Sequence, residues 1–251
     1  MAILYVASEA AELKPMAKLL TGLRKLKWPL DYAYEGVWEG RRLLLAANGA
    51  GPKLATRAVE VAIRAITSAE LSSSALEAVV STGFCGAVTT DLKESQIVLA
   101  SQVQDWANKE VYDCVPVEGG AAAVSGIIVS QDRMAIDVAE KQRLQEASGA
   151  VAVEMEASGV AARAKRARLP FCCIKVVLDR ADESFAIDWN RMRTAEGRIA
   201  RGKIMVHAAV RPQLLPGLFH LKRRSEDAAR VLGEFLVGCR ISPNANIAFA
   251  E

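Results

Sequence analysis

Short apolar runs rich in β-branched residues alternate along the chain with longer segments in which apolar residues recur every three or four positions. The first pattern is typical of buried strands and the second of amphipathic helices. Strands are predicted at residues 2–7, 32–37, 42–47, 78–81, 97–103, 126–130, 151–153 and 170–178. Helices are predicted at residues 9–25, 53–67, 136–146, 156–168, 189–210 and 221–237. This alternation favours an α/β fold with a mixed central sheet that helices cover on both faces.

The alternation of strands and helices is uniform along the chain, and this indicates the domain organisation. The chain shows no internal repeat, no low-complexity linker and no step in composition. We therefore predict one domain over residues 1–210. Residues 211–251, which contain Pro212, Pro216 and the basic cluster Lys222-Arg223-Arg224, are predicted to be a C-terminal helical extension that packs on the same domain.

Composition narrows the functional classes. The 251 residues are 51% hydrophobic and 24% charged, and the net charge of +3 gives no electrostatic reason to expect nucleic acid or an anionic membrane as partner. Five cysteines without a CxxC motif and only two histidines argue against a metal site and against a disulfide framework. No basic n-region opens the chain, and no apolar run approaches the roughly 20 residues of a transmembrane helix. A cytoplasmic location is expected.

Carboxylates follow two of the predicted strands. Glu154 and Glu156 come after residues 151–153, and Asp179 and Asp182 come after residues 170–178. An ionised carboxylate is costly to bury unless it is paired, and ligands of open α/β sheets bind beyond the carboxyl ends of the strands. These acids therefore point to acid/base chemistry on a small polar molecule.

Each acid also has a plainer explanation. Glu156 could complement the dipole of the following helix, although a pair of carboxylate oxygens also suits the vicinal hydroxyls of a ribose. For Glu154 the two explanations are about equally good. Asp179 could cap a turn or pair with Arg180, but an acid among apolar residues has a raised pKa and suits a general acid. Of Asp179 and Asp182, the former lies closer to the buried run.

Two glycine-containing segments, Gly49-Ala50-Gly51 and Gly83-Phe84-Cys85-Gly86, also follow strands. Glycines there permit a sharp turn and bring backbone amides close to a ligand, although many such segments are merely tight turns. Neither segment continues into the Gly-Lys-Ser/Thr of a phosphate-binding loop, and neither completes GxGxxG.

Taken together, these motifs resemble the purine nucleoside phosphorylase and nucleosidase family, most closely its methylthioadenosine/S-adenosylhomocysteine nucleosidase branch. The resemblance extends from Ile3 to about Val210, and the order and spacing of the motifs make it specific. Its landmarks are the acids leading to Glu12, then Asn48-Gly49-Ala50-Gly51, Ser81-Thr82-Gly83-Phe84-Cys85-Gly86, Gly126-Ile127-Ile128-Val129-Ser130, Ala152-Val153-Glu154-Met155-Glu156-Ala157 and Leu178-Asp179-Arg180-Ala181-Asp182.

The resemblance implies cleavage of the N-glycosidic bond of an adenosine-type nucleoside. Asp179 would protonate N7 of the departing purine, and Glu12 would activate the attacking water. Such a reaction passes through an oxocarbenium-like state, which an acid on the leaving group and a base on water both favour. The substrate-binding residues it implies are Phe84, Cys85, Gly86, Met134, Glu154, Met155 and Glu156.

Three positions depart from the family's pattern. Leu178 and Lys175 stand where the family often has Ser and Arg, so the setting of Asp179 is altered. Met134 replaces an aromatic residue that often stacks on the base. The C-terminal segment 218–237 resembles family members associated with hopanoid synthesis. Its basic, amphipathic character suits peripheral membrane contact, and a helix packed on the core explains it equally well.

Several alternatives stay open. A phosphorylase would need phosphate as co-substrate. The residues directly before Gly83 are Ser81 and Thr82, without the arginine that many phosphorylases have near there, and a base such as Glu12 is needed only when water attacks. The substrate could also be an adenosyl-lipid or futalosine, or the protein could bind nucleosides without catalysis. The resemblance implies no cofactor, and it implies a homodimer.

Overall fold

The computed structural model describes residues 2–68, 75–119, 123–194 and 210–242, together with Arg198, Ala200 and Gly202. The strands are β1 (Ala2–Ala7), β2 (Thr21–Lys25), β3 (Tyr32–Trp38), β4 (Arg41–Ala47), β5 (Leu76–Ala87), β6 (Ile97–Asp105), β7 (Val111–Asp113), β8 (Val117–Glu118), β9 (Val124–Ser130), β10 (Ala152–Glu154), β11 (Phe171–Asp179) and β12 (Arg240–Ile241). The α-helices are α1 (Ala10–Leu19), α2 (Pro52–Thr67), α3 (Val138–Ser148), α4 (Ala157–Arg166) and α5 (Leu215–Gly238). The predicted α/β fold with a mixed central sheet is confirmed.

The sheet runs in the order β10-β9-β6-β11-β5-β1-β4-β3-β2, with β7 attached to β6. Strand β1 pairs in parallel with β4 and β5, and β5 pairs in parallel with β11. Strand β10 also pairs antiparallel with β5, so β5, β11, β6, β9 and β10 close into a ring. Closure of this ring brings the end of β10 to the same place as the ends of β5 and β11.

The core lies on both faces of the sheet, and β1 shows how the chain divides between them. Leu4 and Val6 pack into one cluster with α2 and α4, whereas Ile3 and Tyr5 pack into the other with α1 and α5. Successive side chains of a strand point to opposite faces, so a strand covered on both sides is apolar throughout. This accounts for the continuous apolar runs in the sequence.

Helix α5 packs on α1 and on β11. The contact with α1 is close, because a Cβ atom at Gly233 would lie 2.6 Å from the backbone nitrogen of Met16. Leu232 and Leu236 of α5 are fully buried in this contact. Within the residues that the structure describes, no helix is long and apolar enough to cross a membrane.

The structure corrects several predicted elements. The helix predicted over 9–25 ends at Leu19, and residues 21–25 form β2 at the edge of the sheet, because pairing with β3 outweighs the local helical pattern. The strand predicted at 78–81 continues through the glycine segment to Ala87. The helix predicted over 189–210 begins with a short 3₁₀ turn at Trp189–Met192, and most of its remaining length lies outside the described residues. The short strands β7, β8 and β12 were not predicted.

Candidate active site

A cavity of about 340 Å³ lies at the edge of the sheet where β1, β5, β10 and β11 end. The structure places all nine of the predicted site residues in its lining: Glu12, Phe84, Cys85, Gly86, Met134, Glu154, Met155, Glu156 and Asp179. Residues far apart in sequence meet here because the parallel strands end at one edge and the ring closure adds β10. Four of the nine are acids, and each has a different environment.

Glu12 lies in the first turn of α1, directly after β1. Its carboxylate accepts hydrogen bonds from Ser8 Oγ at 2.8 Å and the backbone nitrogen of Glu9 at 2.7 Å on one oxygen, and from the backbone nitrogen of Phe84 at 2.9 Å on the other. A Cβ atom at Gly83 would lie 2.4 Å from Glu12 Oε1, and Gly83 has a φ of +116°. Only glycine fits at that point of β5. The carboxylate is buried and fixed in orientation.

Glu154 is one of the lining residues, but its side chain is fully buried and its carboxylate contacts other groups of the protein. It accepts hydrogen bonds from the backbone nitrogens of Glu156 at 3.0 Å and of Ala157 at 3.0 and 2.9 Å, which caps the start of α4. It also lies 2.7 Å from Lys175 Nζ. These contacts occupy both oxygens, so Glu154 positions its neighbours and is poorly placed to bind a sugar.

Lys175 is the fully buried cation behind these acids. Its Nζ donates to the carbonyl oxygen of Thr82 at 3.0 Å and lies 3.8 Å from Glu156 Oε2. Burial by itself would lower the pKa of Lys175, but the carboxylates of Glu154 and Glu156 raise it above its ordinary value. Lys175 therefore stays charged. Although the family often has arginine at this position, the lysine also supplies a positive charge beside the acids.

Glu156 is buried at the junction between β10 and α4. Its Oε1 accepts a hydrogen bond from the backbone nitrogen of Gly51 at 2.9 Å. Burial raises the pKa of Glu156 from 4.5 to about 7, against the opposing effect of Lys175, and the charges of Glu154 and Glu12 raise it further. Oε1 accepts one hydrogen bond and Oε2 lies 3.8 Å from Lys175 Nζ, beyond hydrogen-bond distance, so this acid can still accept hydrogen bonds from a ligand.

Asp179 owes its direction to a β-bulge at the end of β11. Val177 pairs with Cys85 and Asp179 with Gly86, so Leu178 is the extra residue. A Cβ atom at Gly86 would lie 2.9 Å from Asp179 Oδ2, so the carboxyl group rests against bare backbone. Burial raises the pKa of Asp179 from 3.8 to about 6, and the ammonium of Lys141, 2.5 Å from Oδ2, opposes that rise.

The apolar wall of the cavity contains aromatic residues that sequence reasoning missed. Phe185 and Trp189 line it together with Met134. The Asn190 side chain fixes the backbone of Met134, because the Met134 nitrogen donates to Asn190 Oδ1 at 2.8 Å and Asn190 Nδ2 donates to the Met134 carbonyl oxygen at 3.0 Å. Phe185 and Trp189, which follow Asp182 in the sequence, could have indicated this wall. The pattern from residue 189 onward instead predicted a long helix.

Two cations that support the site were also missed. Lys141 of α3 contacts Asp179 as described, and Arg224 of α5 donates to the carbonyl oxygen of Leu178 and to the carboxylate of Glu183. Leu221, also from α5, lines the cavity. Nothing in the local sequence distinguishes a buried lysine or arginine from a surface one.

Cys85 lines the cavity as predicted from the resemblance, but it is not a nucleophile. Burial raises the pKa of its thiol well above the ordinary value, so the sulfur is not ionised near neutral pH. Across the described part of the chain, no group of three or more His, Cys, Asp or Glu side chains is arranged to hold a metal ion. The candidate acid and base groups of the cavity are therefore carboxylic acids, two of which have a buried lysine beside them.

Part of the chain and its fold are similar to known proteins. A family model described as the phosphorylase superfamily matches residues 115–211. A comparison with curated protein sequences finds no significant match. Similar solved structures include the S-adenosylhomocysteine nucleosidase of Streptococcus pyogenes in complex with 5-methylthiotubericidin, with a TM-score of 0.69 and 17% identity over 94% of each chain.

Two further structures are similar over 94% of this chain and 96% of their own. One is the 5'-methylthioadenosine/S-adenosylhomocysteine nucleosidase of Neisseria meningitidis in complex with methylthio-immucillin-A, with a TM-score of 0.67 and 19% identity. The other is a futalosine hydrolase mutant of Helicobacter pylori, with a TM-score of 0.65 and 16% identity. The resemblance found in the sequence is thus confirmed: residues 115–211 match the phosphorylase superfamily, and the chain has the fold of these nucleosidases.

Proposed function

We propose that this protein hydrolyses the N-glycosidic bond of an adenosine-type purine nucleoside. The observation that carries the proposal is that one cavity holds three acids in different environments. Asp179 has a pKa raised to about 6, which suits a proton donor, and Glu12 is a buried carboxylate held by three hydrogen-bond donors. Glu156 lies in the same lining with its oxygens available to a ligand.

In the proposed reaction, the oxygen of a water molecule attacks C1' of the sugar while Glu12 takes a proton from that water. The bond between C1' and N9 breaks, and its electron pair moves into the imidazole ring of the purine. Asp179 donates its proton to N7, so the base leaves neutral. Glu156 accepts the sugar hydroxyls, and its negative charge favours the oxocarbenium-like state.

The two proposed catalytic acids contact different positions of β5. Glu12 lies against Gly83 and Asp179 lies against Gly86, three residues further along the strand. This arrangement suits a base for water and an acid for the departing purine, which act on different parts of the ligand.

The charges around the cavity disfavour phosphate as the attacking group. Arg133 is the one arginine or lysine among the described residues of the lining, and its Nη2 lies 3.2 Å from the carboxylate of Glu140. Arg193 donates to the carbonyl oxygen of Ala50 near the cavity, but it also pairs with Asp132 at 2.9 Å. A phosphate ion would meet several carboxylates here, and both of these arginines already have an acidic partner.

The test incubates the purified protein with methylthioadenosine, adenosylhomocysteine, adenosine and inosine, with and without phosphate. Chromatography measures the free base, and separate assays measure free sugar and sugar 1-phosphate. We expect adenine and free sugar from an adenosine-type substrate in the absence of phosphate. A requirement for phosphate would show a phosphorylase instead, and binding without any product would show a nucleoside-binding protein.

Matched variants connect the reaction to the cavity. Asp179→Asn and Glu12→Gln are each expected to lower kcat by about 10²- to 10⁴-fold, because each removes one general acid or base. Asp182→Asn is the control, since Asp182 is exposed and pairs with Arg180 outside the cavity. Equal activity of all three variants would refute the proposed roles.

The resemblance also implies a homodimer, which stays a prediction that light scattering of the purified protein tests; the cytoplasmic location expected from the sequence stays a prediction as well. We further propose peripheral membrane contact through the start of α5. Phe219 is 69% and Leu215 41% exposed there, and Lys222 and Arg223 follow in the same helix. Exposed apolar side chains beside cations suit an anionic membrane surface. Co-sedimentation with anionic vesicles, lost in Phe219→Ser, tests this contact.

A further inference from the structure

Lys141 is a fully buried lysine that the proposed reaction does not use directly. Its Nζ lies 2.5 Å from Asp179 Oδ2 and donates to the carbonyl oxygens of Arg180 at 2.5 Å and of Glu183 at 2.9 Å. The two carbonyl oxygens accept hydrogen bonds from the ammonium, and Asp179 Oδ2 forms an ion pair with it and has no other hydrogen-bond partner among the described residues. All three acceptors belong to the segment 179–183, which follows the end of β11.

The cost of burying this charge indicates a use for it. A lone ammonium is expensive to remove from water, and replacing a buried ion pair by apolar residues of similar volume is often neutral or stabilising. Stability alone therefore does not favour a lysine at position 141. The side chain belongs to α3, which packs on β9 and β10, so it reaches the segment after β11 from another part of the ring.

We propose that Lys141 is a positioning residue that holds Asp179 Oδ2 in place, presents the other oxygen to the purine and stabilises the carboxylate that forms when Asp179 gives up its proton. The proposal rests on the function proposed above. In that step the proton moves from Asp179 to N7 of the base. The negative charge left on Asp179 then lies 2.5 Å from the ammonium of Lys141.

This interaction is stronger in the transition state than in the ground state. Before the reaction Asp179 is neutral, and the ammonium of Lys141 lies against an uncharged carboxyl group. As the proton leaves, the attraction between the ammonium and the developing carboxylate grows, and both groups are buried. Only interactions that strengthen in this way accelerate the chemical step.

Other charged groups lie near Asp179 but are less directly placed than Lys141. Glu183, in the turn after β11, raises the pKa of Asp179, and Arg224 of α5 lowers it less than Lys141 does. Arg224 is itself engaged by the carboxylates of Glu183 and Glu94. On the β5 side, Asp179 faces Gly86 and the un-ionised thiol of Cys85. Lys141 is the cation in direct contact.

The test compares Lys141→Met with Lys141→Arg, and uses Lys18→Met as an exposed control on α1. Asp179 acts in its protonated form, so activity is lost as the pH rises through its pKa. Removing the ammonium raises that pKa, so in Lys141→Met the alkaline limb of kcat/KM is expected to move up by about one to three pH units. The kcat should fall at least about tenfold, since the loss is confined to the transition state. Lys141→Arg keeps the charge and should leave the limb in place.

A readout without turnover separates this proposal from the proposed function. The titration of Asp179 can be followed by carbon-13 NMR of protein labelled at its aspartate carboxyl groups, with Asp179→Asn to assign the signal. The signal should titrate at higher pH in Lys141→Met whether or not the protein is active. Lys141→Gln answers the same question if the methionine variant does not fold. An unmoved titration and an unmoved alkaline limb, with only a lower Tm, would overturn the proposal.

Discussion

Replacing Glu156 with glutamine is expected to stabilise the folded protein at neutral and alkaline pH. The carboxylate of Glu156 is buried, and burial raises its pKa from 4.5 to about 7. Glutamine has nearly the same volume, and its side-chain oxygen can still accept the hydrogen bond from the Gly51 nitrogen. The substitution therefore removes the buried charge and keeps the packing.

The size of the gain follows from the displaced pKa. Each factor of ten in the ionisation constant corresponds to about 1.4 kcal/mol. Ionising Glu156 at a pKa of about 7 instead of 4.5 thus costs the folded state about 3 kcal/mol. Below pH 4.5 the group is protonated in both folded and unfolded chains, and the cost vanishes. It grows between pH 4.5 and 7 and is constant above that range.

Urea denaturation measures this difference, with the intrinsic tryptophan fluorescence as the signal. Glu156→Gln should exceed the wild type in free energy of unfolding by about 3 kcal/mol at pH 8.5 and by less than about 1 kcal/mol at pH 5. The same variant should lose affinity for nucleosides. A variant less stable than the wild type at pH 8.5, or a gain independent of pH, would refute the reasoning.

Glu154→Gln is the matched control, because Glu154 lies two residues away and is also buried. Its carboxylate is 2.7 Å from Lys175 Nζ and caps α4. Removing one partner of a buried ion pair typically costs about 3 to 5 kcal/mol, and only the more distant carboxylate of Glu156, at 3.8 Å, would then offset the charge of Lys175. The two substitutions should therefore have effects of opposite sign at pH 8.5, although they change the same residue type in one motif.

Two further predictions concern the general acid. Gly86→Ala should lower kcat at least about tenfold, because its Cβ atom would lie 2.9 Å from Asp179 Oδ2, whereas Gly217→Ala, with open space around it, should leave kcat unchanged. If Glu156 acts ionised and Asp179 protonated, kcat/KM should be greatest between about pH 6 and 7, since the pKa values of these groups are about 6 and about 7. A pH profile that is flat from 5 to 9 would contradict those protonation states.

Much of the fold could be predicted from the sequence, because local periodicity reflects which faces are buried. Strand β1, helix α2 and the hairpin of β3 and β4 lie where the apolar pattern placed them. Strand β2 could not be predicted in this way. Its five residues are exposed and continue a helical pattern, and only pairing with β3 makes them a strand.

The acids of the site could be recognised in sequence because they follow strands, and the topology then gathers strand ends at one edge. Their separate environments could not be predicted. Lys175 and Lys141 decide which carboxylate is paired, and both reach the acids across long stretches of chain. The glycine segment after residue 82 indicated a turn, yet it is an extended strand whose missing side chains make room for Glu12 and Asp179.

The placement of the two buried lysines explains how one cavity can hold several acids without a lysine among the described residues of its lining. Lys175 contacts Glu154 behind Glu156, the residue proposed to bind the sugar, and Lys141 contacts Asp179 from the side of α3. Both ammonium groups are fully buried, and neither lysine lines the cavity. They offset negative charge that the fold could not otherwise bury, without giving an incoming anion a cation to bind. The lysine at position 175, where the family often has arginine, therefore preserves a charge on which the proposed chemistry depends.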